Sequence, residues 1–310
     1  MRISKDLSLN QVSWIKYYSD APVIRNLYEP ESVVELRDLC RRFYNEGRAF
    51  DIIGHTTNTY FLSNKVYENI ISTRRLTSYS IKDNEISCEC GVNVAALSRK
   101  MVHLGISGFE GLINLPGTIG AAVYGNSSSY GCSINAIIKS VRVLLSNGNE
   151  IEVDLEWLQL EHRSTCLKRG EQQGVILNVT LRRNNSNKDT LVNIARLNQD
   201  DRRLTQPTPL NNLGSIFTAS RKLTMQGFLI KSVVKLCCIF YNVFKSQKIS
   251  HNTKLKLELK LLGALELLPY MHSWNRFIWS DENAHKQFWR YVEIHHKLYK
   301  DHTFEIEIKG

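Results

Sequence analysis

The chain has 310 residues, 43% of them hydrophobic and 23% charged, with a formal net charge of +10. That length allows two or three domains around a sizeable core, and the composition is that of a soluble globular chain rather than a disordered one. The positive charge calls for an anionic partner; with no dense lysine or arginine block, zinc finger or RNA-binding motif, a small anionic ligand is favoured over nucleic acid.

Met1-Arg2-Ile3-Ser4-Lys5-Asp6 lacks the apolar core of a signal peptide. The seven cysteines form no C-x-x-C pair and read as reduced thiols, so a cytoplasmic protein is expected, with no metal site. Pro30-Glu31-Ser32 opens a helix with Val33, Leu36, Leu39, Cys40 and Phe43 at helical spacing, closed by Gly47. Residues 50–53 form a short buried strand that runs into Gly54-His55-Thr56-Thr57-Asn58, a polar loop able to offer N–H groups to phosphate. Residues 65–79 read as strand and linker, and 85–90 as a half-buried strand with Cys88 and Cys90 on one face. Asn93 caps a helix whose stripe is Val94, Leu97, Met101 and Leu104, ended by Gly105.

Between 105 and 131 lie seven glycines, at 105, 108, 111, 117, 120, 125 and 131. Leu115-Pro116-Gly117-Thr118 is a tight turn, followed by the small residues Gly120-Ala121-Ala122. So little side chain lets a flat or phosphorylated ligand reach the backbone, although no regular phosphate-loop spacing is present. Strands follow at 137–145 and 175–181, with Asn147-Gly148 turning a hairpin back to Ile151 and Val153. Strands flanked by a few helices, without βαβ repetition, indicate an α+β fold.

The polar run at 184–188 is the expected domain boundary, and a helix with Leu191, Ile194, Ala195 and Leu197 on its face follows it. The apolar stretch 228–244 contains Lys231, Lys235 and Asn242; it is too short and too charged to span a membrane and reads as a buried helix or strand pair. Lys245, Lys248, Lys254, Lys256 and Lys260 interleave with leucines, as a solvated face over a core or as a basic partner surface. Residues 284–298 form a helix with Phe288, Tyr291, Val292 and His295 on one side. At the end, Phe304, Ile306 and Ile308 share one strand face, Glu305 and Glu307 the other.

Gly108-Phe109-Glu110-Gly111-Leu112, Leu115 to Ala122, Asn126 and Tyr130-Gly131 together resemble the flavin-binding signature of the UDP-N-acetylmuramate dehydrogenase family, also called UDP-N-acetylenolpyruvoylglucosamine reductase. Two further islands, Gln206-Pro207 with Gly214-Ser215-Ile216-Phe217, and Asn275-Arg276-Phe277-Ile278, are similar to the family in the second half. The resemblance implies a two-lobed FAD-binding domain of the vanillyl-alcohol-oxidase type at 1–183, with lobes of about 1–75 and 76–183, and a smaller α+β substrate domain at 184–310. It implies non-covalent FAD, since His55 and Cys132 sit in no attachment motif, with NADPH as hydride donor and an enol ether on a UDP-N-acetylglucosamine derivative as substrate. Cofactor contacts are then expected from Gly54, His55, Thr56, Thr57, Asn58, Pro116, Gly117, Thr118, Gly120, Ala121, Asn126, Tyr130 and Gly131. Carried over residue by residue, Ser215 gives the proton, and Arg163 and Glu307 stabilise charge. The chain departs from the family at His162, Leu167, Thr218, Ala219 and Ile306. A flavoenzyme of the same fold acting on another sugar, or a non-catalytic binding protein, is the alternative.

Overall fold

The computed structural model describes residues 1–13, 22–207, 212–218, 222–245, 249–301 and 303–309. A four-stranded sheet comes first, in the order Arg2–Ser8, Val23–Glu29, Val66–Ser72, Asp51–Ile53. Its first pair is antiparallel and the other two pairs are parallel. Leu9, Ile24, Leu27, Ile53, Phe61, Tyr67 and Ile70 make a compact apolar layer with it.

An antiparallel five-stranded sheet follows, ordered Glu150–Val153, Ile138–Leu145, Gly174–Arg182, Glu85–Glu89, Tyr79–Ile81. Its core includes Cys88, Val141, Val143, Leu177 and Val179 and continues into Leu36, Leu39, Cys40 and Phe43 of helix Val33–Asn45. Ser32 caps that helix by accepting from the Glu35 N–H, and Asn93 caps Val94–His103 by accepting from Ala96, as their sequence positions require. Leu104 departs from the expected stripe: it stands at the C-cap and is 48% exposed.

The helix after the polar run, Lys188–Thr205, packs back onto Val94–His103. Leu191 and Ala195 enter the first core, while Ile194 and Leu197, expected on the same face, point outward. The polar run therefore ends a strand without ending a packing unit; the cores part beyond Thr205. The second core gathers Leu213, Ile216, Phe217, Leu255, Leu259, Trp274, Phe277, Phe288, Tyr291 and Leu298. Helix Ala284–Leu298 supplies its expected face, with Phe288, Tyr291, Val292 and His295 all buried. Helix Met225–Lys245 corrects another expectation. Among its described apolar side chains Ile230, Val234 and Cys238 are buried, whereas Phe228, Leu229, Val233, Leu236, Ile239, Phe240 and Tyr241 are 43–63% exposed. A largely apolar run looks buried in one dimension, but a helix on a small core hides one stripe. No described helix is long and apolar enough to cross a membrane.

Two connections lock the units together. The last strand, Glu307–Lys309, pairs in parallel with Thr59–Phe61, straight after the Gly54–Asn58 loop. Within that strand Tyr60 belongs to the second core and Phe61 to the first sheet.

Candidate active site

At the meeting of these elements lies a cleft in two chambers, of about 470 Å³ and 570 Å³. Gly54, Thr59, Thr118, Ala121, Tyr124 and Glu307 line both and form the waist. The waist is narrow for a local reason. A Cβ on Gly54 would stand 2.6 Å from Thr118 Oγ1, so the two loops touch. Thr118 is held there because its hydroxyl accepts from the Ala121 N–H and caps Ile119–Tyr124. Gly120 is needed behind it, where a Cβ would come within 2.9 Å of Cys90 Cβ. Gly117 has φ +122°, a conformation that side chains rarely accept. Burial pushes the Tyr124 phenol up to about 12, so it faces the cleft as a neutral hydroxyl.

Three non-glycine lining residues, Thr56, Tyr130 and Arg163, have φ between 47° and 59°. Each costs about 1 kcal/mol or more, a strain that concentrates at functional sites. Arg163 sits in the tight Glu161–Ser164 turn, whose ends exchange backbone hydrogen bonds. Its Nη1 donates to the Ser128 carbonyl at 3.1 Å. Its Nε lies 3.3 Å from Glu305 Oε1 but off the line of a hydrogen bond. Lys168 Nζ lies 3.0 Å from Glu307 Oε1, so two acid–base pairs stand side by side. Desolvation raises the Glu305 carboxyl above its ordinary value although Arg163 and Lys168 pull it down.

The Ser215 loop is stitched to the same place. The Glu305 N–H donates to the Ile216 carbonyl at 2.8 Å. The Asn275 amide clamps Phe217 from both sides, accepting from its N–H at 2.7 Å and donating to its carbonyl at 2.8 Å. Ser215, half-buried, is thereby brought into the first chamber with Arg163 and Glu307, from sequence positions up to 144 residues apart.

Of the predicted cofactor contacts, Gly54, His55, Thr56, Thr57, Asn58, Pro116, Gly117, Thr118, Ala121 and Tyr130 line the first chamber, and Gly120 lines the second. Asn126 and Gly131 line neither. The Asn126 side chain donates to the Glu161 carbonyl and braces the Arg163 turn, and Gly131 supplies the φ +76° bend between Ser128–Ser129 and Cys132–Ser133. His55 is half-buried, and burial beside Arg74 lowers its imidazole below the usual value.

Five charged residues of the first chamber were not among the sequence candidates: Lys168, Asp201, Arg202, Arg276 and Glu305. Arg202 comes from the last turn of Lys188–Thr205 and Arg276 from the short strand Arg276–Phe277 of the second core. Burial lowers both guanidinium groups, each carrying its charge without an ion pair among the described residues. The Lys in an aromatic–Lys family pair was a usable signal for Lys168; nothing in the sequence places Arg202 beside Arg276. Buried acceptors without a partner among the described residues, Asn58 Oδ1 and Gln206 Oε1, also line this space.

The glycine-narrowed, two-chambered cleft thus lies between a mixed sheet, an antiparallel sheet and an appended unit, in an α+β fold. The FAD binding domain family matches residues 25–154. The chain is 27% identical over 216 residues to the UDP-N-acetylenolpyruvoylglucosamine reductase of Caldicellulosiruptor bescii, covering 69% of this chain and 67% of that one. It is 29% identical over 188 residues to the same-named protein of Clostridium kluyveri, covering 60% and 59%. These alignments span about three fifths to two thirds of the relatives' length. The crystal structure of UDP-N-acetylenolpyruvylglucosamine reductase from Thermus caldophilus superposes over the whole of both chains with TM-score 0.68 at 19% identity, a likeness of fold. The chain thus carries an FAD binding domain and is similar, over about three fifths to two thirds of its length, to UDP-N-acetylenolpyruvoylglucosamine reductases.

Proposed function

We propose that this protein is an FAD-dependent reductase that uses NADPH to reduce the enol ether of a UDP-N-acetylglucosamine derivative, a step of peptidoglycan precursor synthesis. The observation that carries the reading is the convergence of Ser215, Arg163 and Glu307 in one chamber that joins a glycine-narrowed second chamber. The residues present fit FAD, because Gly54, Gly117 and Gly120 leave the backbone bare where the loops meet. Gly54–Asn58 and Pro116–Ala121 would hold it non-covalently through N–H groups. FAD held there would supply hydride transfer from NADPH to the substrate.

The chain's own residues do the rest. Ser215 donates a proton to the carbon beside the one that receives hydride, and the nearby cations stabilise the alkoxide left behind. Arg163, a planar fork charged at any working pH, holds the substrate carboxylate, and Glu305 orients that fork. Glu307, with Lys168, polarises the enol ether. Arg202 and Arg276 receive the nucleotide phosphates in place of the family's Lys-Asn, which is Thr218-Ala219 here. Two half-buried arginines that form no ion pair among the described residues favour a dianionic ligand. In this reading residues 1–183 with the following helix hold FAD and the remainder holds the substrate. The seven free cysteines support a reducing compartment, the cytoplasm.

The test is flavin reoxidation. Purified protein should show flavin absorbance, bleach with NADPH and recover with UDP-N-acetylglucosamine enolpyruvate. Recovery with a different nucleotide sugar would make it a same-fold enzyme of other specificity. Lack of flavin would make it a binding protein.

A further inference from the structure

The outward face of helix Met225–Lys245 has no place in the chemistry above. Its attachment to the second unit is tight. Gly227 approaches helix Ala284–Leu298 so closely that a Cβ would lie 2.1 Å from the Leu298 carbonyl oxygen. Lys231 Nζ reaches Glu258 at 2.7 Å, and Glu258 also accepts from Trp274 Nε1. The buried stripe Ile230, Val234 and Cys238 is thus satisfied by the protein itself. The opposite side shows Met225 77%, Phe228 58%, Leu229 57%, Leu236 55% and Phe240 63% exposed.

Charge distinguishes this apolar face from an ordinary protein interface. Residues 222–262 contain eight lysines, no arginine and one glutamate, a net of +7 out of the chain's +10. That one glutamate is buried and already paired with Lys231. Lys235 is exposed on the helix itself, and Lys254, Lys256 and Lys260 are exposed on helix His251–Leu261, which packs beside it. We infer that this face docks on an anionic lipid surface, with the helix lying in the plane of the interface, its phenylalanines and leucines among the acyl chains and the lysines at the headgroups.

The pattern suits that occupant. Large apolar side chains are exposed from Met225 to Tyr241, over about 25 Å of helix, as an interfacial helix requires. The flanking charge is of one sign, which attracts anionic headgroups within a Debye length. A second copy of the chain would bring like charges together, so it is disfavoured by the same lysines.

The experiment is cosedimentation of the purified full chain with sucrose-loaded vesicles of 30% phosphatidylglycerol in phosphatidylcholine, against pure phosphatidylcholine. Binding is expected to the first, weakly to the second, and to fall steeply in 0.5 M salt. The double substitution F228S/F240S should weaken binding by about tenfold for each ring lost, the scale of burying a phenylalanine. Its thermal midpoint should match the parent's because both rings are exposed. No sedimentation with the anionic vesicles, or binding unaltered by F228S/F240S, overturns the inference. So does a lipid-free dimer that F228S/F240S converts to a monomer, which would make the occupant a second copy. Capture by soluble polyglutamate in preference to vesicles would make it an acidic polypeptide and overturn it equally.

Discussion

Gly54→Ala is a sharp probe of the waist of the cleft. Gly54 lies outside the positive-φ set, so its backbone accepts alanine without strain. The added methyl, however, would meet Thr118 Oγ1 at 2.6 Å and Cγ2 at 3.1 Å. Overpacking of that kind costs about 1–3 kcal/mol. Thr118→Ala alone loses the cap on Ile119–Tyr124, worth ~1 kcal/mol. In the double variant the clash is gone, because the nearest remaining atom, Thr118 Cβ, is 3.4 Å away, an ordinary contact. The two costs should therefore not add: the coupling should be about 1–2 kcal/mol in favour of the double variant. Urea denaturation of the flavin-free protein gives the three differences, and FAD titration should show affinity lost in Gly54→Ala and regained in part in the double. Additivity within about 0.5 kcal/mol would mean that the Gly54 and Thr118 loops do not touch and that the waist is misplaced.

Further outcomes can be checked independently. Ser215→Ala should leave reduction of the flavin by NADPH near the wild-type rate and slow reoxidation by substrate roughly 10²-fold, the scale of a lost proton donor; stopped-flow traces with both half-reactions unchanged would remove Ser215 from the chemistry. Arg202→Met and Arg276→Met should each raise the KM for the nucleotide sugar roughly tenfold, as for a lost hydrogen bond to a charged group, while raising the thermal midpoint of the ligand-free protein by removing a desolvated charge that forms no ion pair among the described residues. A midpoint that falls in both variants would mean that these arginines hold the fold and are not waiting for an anion. Glu305 has a native pKa above its ordinary 4.5, so the folded protein keeps a proton that the unfolded chain has released, and stability drops as pH rises through that window. Glu305→Gln should accordingly gain stability relative to the parent between pH 4 and pH 7; a gap that shrinks over that range contradicts the assignment.

Local signals in the sequence were sufficient for much of the fold. Ser32 and Asn93 cap because their side chains reach N–H groups three residues on, and Asn147-Gly148 turns a hairpin because of its own backbone preferences. The Gly54 and Gly117 loops were legible for the same reason: bare backbone is written in residue type. Burial was a different matter. Whether Leu104, Ile194, Leu197 or Phe240 is covered depends on what packs opposite, and helical spacing carries no information about a neighbour that is far away in the chain. The charges of the cleft follow the same rule. Glu305 and Glu307 read as one face of a terminal strand, but only its pairing with Thr59–Phe61 turns that face toward Arg163 and Lys168. Arg202 and Arg276 arrive from different cores, 74 positions apart, and their electrostatic meaning exists only once both have lost water in the same space. Short-range stereochemistry is a property of the sequence itself; desolvation and encounter between distant side chains are properties of the folded molecule.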